Sequence, residues 1–253
     1  MRGIFGRDAS STGRALMGEE NTLPDGLLTV LRQVDTPTVC NAIEVAQGRR
    51  GFSNFTRETM IHSVPEVPAM VGYARTAKIA GAVRQDEAPS ITLARRLDYF
   101  RHMAGGGAPG VAVIEDTDGR DCVGAWWGEV HVAVHKGLGL VGAVTNGVMR
   151  DLNESDADFP VLAGSVGPSH AFVHLQEIGN PVEVFGMKVE EGDLIHADRH
   201  GALVVPADVL HELPSAIATV VASEALILGP ARSPDFDIDK LEKAWAAFEA
   251  VRT

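Results

Sequence analysis

The chain has 253 residues, of which 45% are hydrophobic, and a formal net charge of −12. This length allows one large domain or two small ones, and the wealth of Ala, Val, Leu and Gly suits a packed α/β core. The acidic balance argues against nucleic-acid binding, because no cluster of Lys and Arg offsets it. No apolar run reaches the about 20 residues of a membrane-spanning helix, and the N-terminus lacks the apolar core of a secretion signal. We therefore expect a cytoplasmic protein without nucleic-acid or membrane partners.

The hydrophobic periodicity predicts helices first, then alternating strands and helices, then a run of short strands, then helices again. We expect helices over 25–34, 38–46, 90–103, 126–136 and 206–226, and strands over 71–83, 110–115, 140–144, 161–163, 172–175, 182–184, 194–196 and 202–205. This mixture predicts a single α/β domain with a mixed sheet, not a doubly wound parallel one.

The two ends of the chain differ in pattern from the middle. Residues 1–22 are rich in Gly, Ser and charge, which predicts a mobile arm or one that orders against a neighbouring subunit. Gly229-Pro230 and Ser233-Pro234 predict a linker, and residues 236–252 have the apolar stripe of an amphipathic helix. We therefore divide the chain into an arm (1–22), a main domain (23–228) and a linker with a C-terminal helix (229–253). That helix can pack on its own domain or on a neighbour.

Residues 139–154 form the leading candidate for a functional site. An apolar run typical of a buried strand ends in a glycine turn and is followed by Arg150, Asp151 and Glu154. In a helical turn, Asp151 and Glu154 would share one face, where two carboxylates suit Mg²⁺ or Mn²⁺. Arg150 would point elsewhere and offer a planar fork to a substrate carboxylate. The spacing by itself favours a plainer alternative, an acid-rich helix start with Arg150 in an ordinary salt bridge.

Two histidines, His131 and His135, lie four residues apart on a predicted helix, a spacing that can bind zinc. No third soft ligand accompanies them, so we favour a helix face near the site or at an interface. Lys136 follows directly, and we interpret it as a helix-end cation and not as a Schiff-base lysine.

Two other pairs have structural interpretations. Cys40 and Cys122 are far apart in sequence and form no CxxC pair, which predicts two buried reduced thiols. Trp126 and Trp127 are expected to pack in the core, with one of them able to wall a site or an interface.

Several motifs are informative in combination. They are Gly72-Tyr-Ala-Arg-Thr-Ala, Gly110-Val-Ala-Val-Ile, Trp127-Gly-Glu129, Gly139-Leu-Val-Gly-Ala-Val-Thr-Asn-Gly-Val-Met-Arg-Asp151, Pro160-Val-Leu-Ala163 and Gly192-Asp-Leu-Ile-His-Ala-Asp-Arg-His-Gly-Ala-Leu-Val-Val-Pro206. In these motifs the chain resembles one known family, that of the regulator of ribonuclease activity A and the class II 4-hydroxy-4-methyl-2-oxoglutarate/4-carboxy-4-hydroxy-2-oxoadipate aldolases. The resemblance implies a single-domain, mixed-sheet α/β/β sandwich of the RraA-like (swivelling β/β/α) type, assembled as a homotrimer or homohexamer.

The resemblance also implies a reaction and a site. The aldolases of the family carry a glycine, twenty residues, Arg-Asp, two residues and then Glu or Asp, and Glu154 supplies the last acid, which regulator-type members generally lack. The implied lyase cleaves a 4-hydroxy-2-oxo acid to pyruvate and also decarboxylates oxaloacetate, with Asp151 and Glu154 holding Mg²⁺ or Mn²⁺. Arg150 and Asp151 would be catalytic. Arg150 and the backbone amides of Gly128, Glu129, Val130 and His131 would bind the substrate carboxylate.

One departure from the family pattern and two alternatives remain. With twenty residues left before Arg150, the position that the pattern assigns to glycine is Glu129, and Gly128 lies one position earlier. A Glu amide can bind the carboxylate as a Gly amide does, but the charge bears on the identity of the substrate. The alternatives are a non-catalytic regulator of the same fold and an enzyme of this fold acting on another 2-oxo acid. The sequence identifies no general base, for which water on the metal is the default, and Glu224 is a candidate to act across a subunit boundary.

Overall fold

The computed structural model of the protein describes residues 23–252, with side chains through residue 250. The predicted arm, residues 1–22, lies outside the described residues. The helices are α1 (Leu27–Arg32), α2 (Thr36–Gln47), α3 (Pro89–Met103), α4 (Glu129–Gly137), α5 (Leu213–Ala231) and α6 (Ile238–Arg252). The strands are β1 (Ile61–His62), β2 (Met70–Ala80), β3 (Gly110–Asp116), β4 (Ala125–Trp127), β5 (Leu140–Thr145), β6 (Val148–Met149), β7 (Val161–Ala163), β8 (Ser165–Val166), β9 (His174–Ile178), β10 (Val182–Val184), β11 (Met187–Val189), β12 (Leu194–Asp198) and β13 (Gly201–Val205).

The main sheet is mixed, as the sequence predicts. Its strand order is β1-β7-β5-β3-β2-β12-β13, and β9 also pairs with β2. The strands β2, β3, β5 and β7 are parallel neighbours, whereas β12, β13, β9 and β1 run antiparallel to their partners. The long strand β2 serves two partners on one edge, with β12 along its first residues and β9 along its last.

Alternate side chains of the central strands face two different layers, because successive residues of a strand point to opposite faces of the sheet. On β3, Ala112 and Ile114 pack in a cluster with residues of α3, α4 and β4. Val111 and Val113 pack in another cluster with residues of the β10–β11 hairpin. The helices, the main sheet and the hairpin therefore form the expected α/β/β sandwich.

A third cluster joins α1, α2 and α5 to the β12–β13 end of the sheet. The first residues of α2 are capped from two places. The Asp35 side chain accepts a hydrogen bond from Thr38 N at 2.9 Å, and Asp198 Oδ2 accepts one from Thr36 N at 2.9 Å. The buried His196 Nε2 lies 2.9 Å from the carbonyl oxygen of Leu31, at the end of α1. The end of β12 thus satisfies backbone groups that helix termini leave unpaired.

Several predicted element boundaries are wrong. The helix predicted over 206–226 begins only at Leu213, after a 3₁₀ helix over Ala207–Val209. The helix predicted over 126–136 begins only at Glu129, because Trp126 and Trp127 belong to β4, where aromatic side chains suit a buried strand. The predicted linker at Gly229-Pro230 is the last turn of α5. A proline there removes one hydrogen bond near the helix end instead of breaking the helix interior.

The C-terminal helix α6 packs on its own chain, against α5. Ala244 and Phe248 are its buried residues, whereas Ile238 and Trp245 of the predicted stripe are exposed. Helix α5 is long and apolar enough to cross a membrane by length and composition. However, Leu213 and other residues on one side of α5 are buried in the cluster with α1 and α2, as in the core helix of a globular domain.

Candidate active site

The candidate site lies where two parallel strands end side by side. In the small sheet β4-β6-β8, Trp127 of β4 pairs with Met149 of β6. The residues that follow are therefore brought together: Gly128 leads into α4, and Arg150 follows β6. A backbone hydrogen bond of 2.9 Å, from Arg150 N to the Trp127 carbonyl, fixes this junction. The Arg-Asp pair thus sits at the N-terminus of α4.

Asp151 is held against that N-terminus by two contacts. Its Oδ2 atom accepts a hydrogen bond from Glu129 N at 3.2 Å and lies 3.5 Å from Arg150 Nε. An anion at a helix N-terminus is favoured by the helix dipole and the free amides. The backbone of Asp151 adopts φ 56°, a left-handed conformation that costs a non-glycine residue energy. Backbone strain of this kind is concentrated at functional sites.

The expected helical turn over Asp151 and Glu154 is present only as a single turn, in which the Asp151 carbonyl also accepts a hydrogen bond from Ser155 N at 2.9 Å. Residues 152–154 form a turn, closed by Glu154 N donating to the Asp151 carbonyl at 3.3 Å. The positive φ of Asp151 prevents a helix from starting there. The expectation that Arg150 points away is wrong, because its side chain meets that of Asp151.

The first turn of α4 presents free backbone amides. Glu129 N is taken by Asp151, and Val132 N donates to the Gly128 carbonyl at 3.0 Å. The amides of Val130 and His131 donate to no acceptor within residues 23–252. With the helix dipole behind them, they suit the carboxylate of a substrate. Of the four predicted amides, only that of Glu129 is occupied by a group within residues 23–252.

An open cavity of about 310 Å³ adjoins these groups. Its walls include Arg96, Trp126, Gly128, His131, Arg150 and His170. Sequence reasoning missed Arg96 and His170, since they come from α3 and from the segment before β9, and no spacing links them to the site. The volume is at the lower end of the range typical of small-molecule sites.

Beneath the cavity, a hydrogen-bonded chain holds α4 in place. His135 Nδ1 lies 2.6 Å from the His131 carbonyl and so carries the proton, which leaves Nε2 to accept from the Tyr99 hydroxyl at 2.6 Å. Trp126 Nε1 donates in turn to the Tyr99 oxygen at 3.3 Å. Both ring nitrogens of His135 are therefore occupied, so the His131–His135 pair does not form the zinc site considered above.

Both histidines are neutral near pH 7. Burial, with contributions from His135, Arg96 and Arg150, lowers the pKa of His131 to about 3. Burial lowers the pKa of His135 to about 4. The ring of His131 packs edge-on against Trp126 with centroids 4.5 Å apart, and its Nδ1 is buried without a hydrogen-bond partner among the described residues. His131 thus presents an uncharged imidazole to the cavity.

The donor atoms near Asp151 fit a hydrated hard cation. Asp151 Oδ1 and the exposed Glu154 carboxylate accept no protein hydrogen bond in the described part of the chain. Two carboxylates completed by water are the ligands that Mg²⁺ takes, because it dehydrates reluctantly. Across residues 23–252 no three His, Cys, Asp or Glu side chains are grouped as a closed metal site. The set therefore suits an open, water-completed metal and not a structural one.

The remaining sequence candidates lie elsewhere. Lys136 binds Asp156 at 2.6 Å on the surface, which agrees with its interpretation as a helix-end cation. Glu224, on α5, lies 3.5 Å from Asn41 and lines a separate cavity between α2, α5 and α6. Cys40 and Cys122 are free and only partly buried.

The fold is that of RraA-type proteins. An uncharacterized protein from Pseudomonas syringae pv. tomato str. DC3000 superposes with a TM-score of 0.64 at 22% identity, covering 88% of this chain and 98% of that one. Streptomyces coelicolor RraAS2, described as an unusual member of the RNase ES inhibitor RraA protein family, gives 0.60 at 22% identity, with 84% and 100% covered.

The sequence of the chain assigns it to a family. A family model described as RraA-like, Aldolase/RraA, matches residues 36–204, and the chain belongs to this RraA-like family. A relative from Halalkalibacterium halodurans is 27% identical over 181 residues, which cover 71% of this chain and 76% of the relative. That relative is provisionally named a 4-hydroxy-4-methyl-2-oxoglutarate aldolase.

Proposed function

We propose that this protein is a divalent-metal-dependent lyase that cleaves a 4-hydroxy-2-oxo acid to pyruvate by retro-aldol chemistry and also decarboxylates oxaloacetate. One observation carries the proposal: the Arg150–Asp151 pair abuts the free amides of α4 at the edge of an open cavity. A cation, helix amides and carboxylates in one place suit a 2-oxo acid and a hard metal ion together. The provisional name of the 27% identical relative supports the same class of reaction.

In this proposal, different residues of the site bind the substrate and the metal ion. The amides of Val130 and His131 bind the substrate carboxylate, and the Arg150 guanidinium orients the 2-oxo group. Asp151 and Glu154 would hold Mg²⁺ or Mn²⁺, which when bound supplies Lewis-acid stabilisation of negative charge on the 2-oxo acid.

Cleavage moves one proton and one electron pair. The C4 hydroxyl loses its proton to water in the open cavity, and the C3–C4 bond breaks as C4 becomes a carbonyl. The bonding electrons pass to C3 and onto the C2 oxygen, where Arg150 opposes the developing charge. Protonation at C3 then yields pyruvate. Loss of CO₂ from oxaloacetate produces the same enolate, so both reactions use the same groups.

A coupled assay tests the proposal. Pyruvate release from 4-hydroxy-4-methyl-2-oxoglutarate and from oxaloacetate is followed with lactate dehydrogenase and NADH, before and after EDTA treatment. We expect turnover that EDTA abolishes and that Mg²⁺ or Mn²⁺ restores. Pyruvate release that is absent, or that is indifferent to EDTA, would overturn the proposal.

The second candidate is a non-catalytic regulator, since Streptomyces coelicolor RraAS2, a protein of this fold, is described as a member of an RNase inhibitor family. The exposed Glu154 distinguishes the two, because a regulator has no use for a second carboxylate beside Asp151. A third possibility is action on another 2-oxo acid, which a panel of such acids in the same assay would reveal.

Assembly and location follow as further parts of the proposal. We infer a homotrimer or homohexamer in the cytoplasm, without nucleic-acid or membrane partners. Light scattering coupled to size-exclusion chromatography should give three or six times the 26.9 kDa chain mass. A monomer at micromolar concentration would contradict the inferred assembly.

A further inference from the structure

One cation in the cavity has no role in the reaction described above. Arg96, on α3, lines the cavity beside Arg150 and makes no ion pair or side-chain hydrogen bond within residues 23–252. The other arginines of the same helix are paired: Arg95 binds Glu87 at 2.7 Å, and Arg101 binds Asp98 at 2.7 Å. Arg96 therefore differs from its neighbours in facing a cavity without a partner.

Two acids near the cavity, Glu87 and Asp151, are already engaged by groups other than Arg96. Glu87, which lines the adjacent crevice together with Arg96, is already bound by Arg95 and by Thr92 Oγ1 at 3.2 Å. Asp151, the acid beside Arg150, is engaged by the Glu129 amide and by Arg150 itself.

Both Arg96 and Arg150 act on the pKa of His131, which places both positive charges near the same ring. The neutral imidazole adds no competing charge. The cavity therefore holds one more cation than a substrate with a single carboxylate requires.

We propose that Arg96 binds a second carboxylate of the substrate, carried on C4, and so selects 4-hydroxy-2-oxo acids with two acidic groups. Arginine suits this role because its planar fork binds a carboxylate through two parallel hydrogen bonds. The amides of α4 bind the first carboxylate and Arg150 the 2-oxo group at one end of the cavity, and Arg96 binds the second carboxylate from α3. The assignment rests on the proposed function for the identity of the reacting carbon.

The test compares two substrates that both release pyruvate. 4-Hydroxy-4-methyl-2-oxoglutarate carries a carboxylate on C4, and 4-hydroxy-2-oxopentanoate has a methyl group there. Arg96→Met should lower kcat/KM for the first by about 10- to 100-fold, mainly through KM, the range expected for hydrogen bonds to a charged group. For the second substrate the change should stay within about 3-fold. Arg96→Lys should restore part of the loss, because it keeps the charge without the fork.

Arg101→Met is the matched control. Arg101 lies on the same helix, is exposed and pairs with Asp98 outside the cavity, so both substrates should be cleaved at the wild-type rate. If Arg96→Met leaves the ratio of kcat/KM for the two substrates unchanged, the assignment of Arg96 is overturned.

A binding measurement separates this inference from the proposed lyase activity. Calorimetric titration in the presence of Mg²⁺ compares 2-oxoglutarate with 2-oxopentanoate, which lacks the second carboxylate. The wild type should bind 2-oxoglutarate about 10-fold or more tightly, and Arg96→Met should lose this preference. If the wild type releases no pyruvate but shows this preference, the lyase proposal fails and the role of Arg96 stands. If pyruvate is released and the wild type shows no preference, the role of Arg96 fails alone.

Discussion

Asp151 occupies space that exists only because residue 128 is glycine. A Cβ atom at Gly128 would lie 2.5 Å from Asp151 Oδ2 and 3.1 Å from both Cγ and Nε of Arg150. The backbone of Gly128 is extended, with φ −159°, which any residue can adopt. The requirement for glycine is therefore steric and not conformational, and it protects the contact of the Arg-Asp pair with α4.

Gly128→Ala should displace the Asp151 carboxylate and lower kcat/KM for pyruvate release by roughly 100-fold, as small misplacements in active sites do. Gly137→Ala is the control, because a Cβ at Gly137 meets no atom within 4 Å. That variant should keep full activity and gain about 0.5–1 kcal/mol in the free energy of unfolding, since alanine is favoured over glycine in a helix. Wild-type activity in Gly128→Ala would show that the site does not require a residue without a Cβ atom at position 128.

Asp151→Gly should separate stability from activity. Glycine adopts φ 56° without strain, so relief of the strain should offset the loss of the two half-exposed contacts. We expect the free energy of unfolding in urea to change by no more than about 1 kcal/mol, while pyruvate release is abolished. Asp151→Asn, which tolerates the same φ and keeps an acceptor for the Glu129 amide, should be equally inactive. A variant of either kind with wild-type turnover would show that the carboxylate is not catalytic.

Glu154→Ala should raise the Mg²⁺ concentration needed for half-maximal activity by on the order of 10-fold, because one of two proposed metal ligands is lost. Saturating Mg²⁺ should recover much of kcat, since Asp151 remains. Asp158→Ala is the control, as this exposed acid of the same loop contacts only Lys136, at 3.7 Å. Equal Mg²⁺ dependence in all three proteins would exclude Glu154 from the metal site.

Tyr99→Phe should destabilise the protein by about 1–3 kcal/mol, because His135 Nε2 and Trp126 Nε1 would both lose their buried partner. Tyr73→Phe is the matched control, since the Tyr73 hydroxyl makes no hydrogen bond within the described residues. Urea unfolding followed by tryptophan fluorescence measures both. If the two variants are equally stable, the buried chain contributes nothing to the position of α4.

As the pH is lowered, the fold should begin to lose stability at pH values well above those at which surface carboxylates titrate. The folded pKa values of His131 and His135, about 3 and about 4, lie below the unfolded value of 6.5, so the unfolded state binds more protons as pH falls below 6.5. Asp116 opposes this trend, since burial raises its pKa to about 6. Because the histidines outnumber it, unfolding free energy should fall by about 1–3 kcal/mol per pH unit below pH 6. His131→Gln should flatten that slope, and an unchanged slope would contradict the assignment.

The sequence predicted much of the fold because its strands and helices carry strong periodic patterns. The predicted strand β2, the helix α3 and the mixed character of the sheet agree with the structure. The boundary at Glu129 was wrong because an apolar Trp pair fits a buried helix as well as a buried strand. The positive φ of Asp151, which limits the following residues to a single turn, was not predicted because no residue pattern signals it at an aspartate.

The candidate site, like the fold, was predicted only in part from the sequence. Arg150, Asp151 and the first turn of α4 follow from local motifs, and the sheet pairing of β4 with β6 brings them together. Arg96 comes from a helix that precedes the motifs by about thirty residues, and a doubled arginine on an exposed helix is an ordinary surface feature. Only the packing of α3 beside α4 reveals which of the two arginines faces the cavity.

The hydrogen bond from Thr36 N to Asp198 Oδ2 limits the order in which parts of the chain can fold during synthesis. These residues are separated by 162 positions, and the neighbouring contact of His196 with the Leu31 carbonyl spans a similar distance. On the ribosome, the termini of α1 and α2 therefore cannot gain these partners until β12, which is synthesised much later, has emerged.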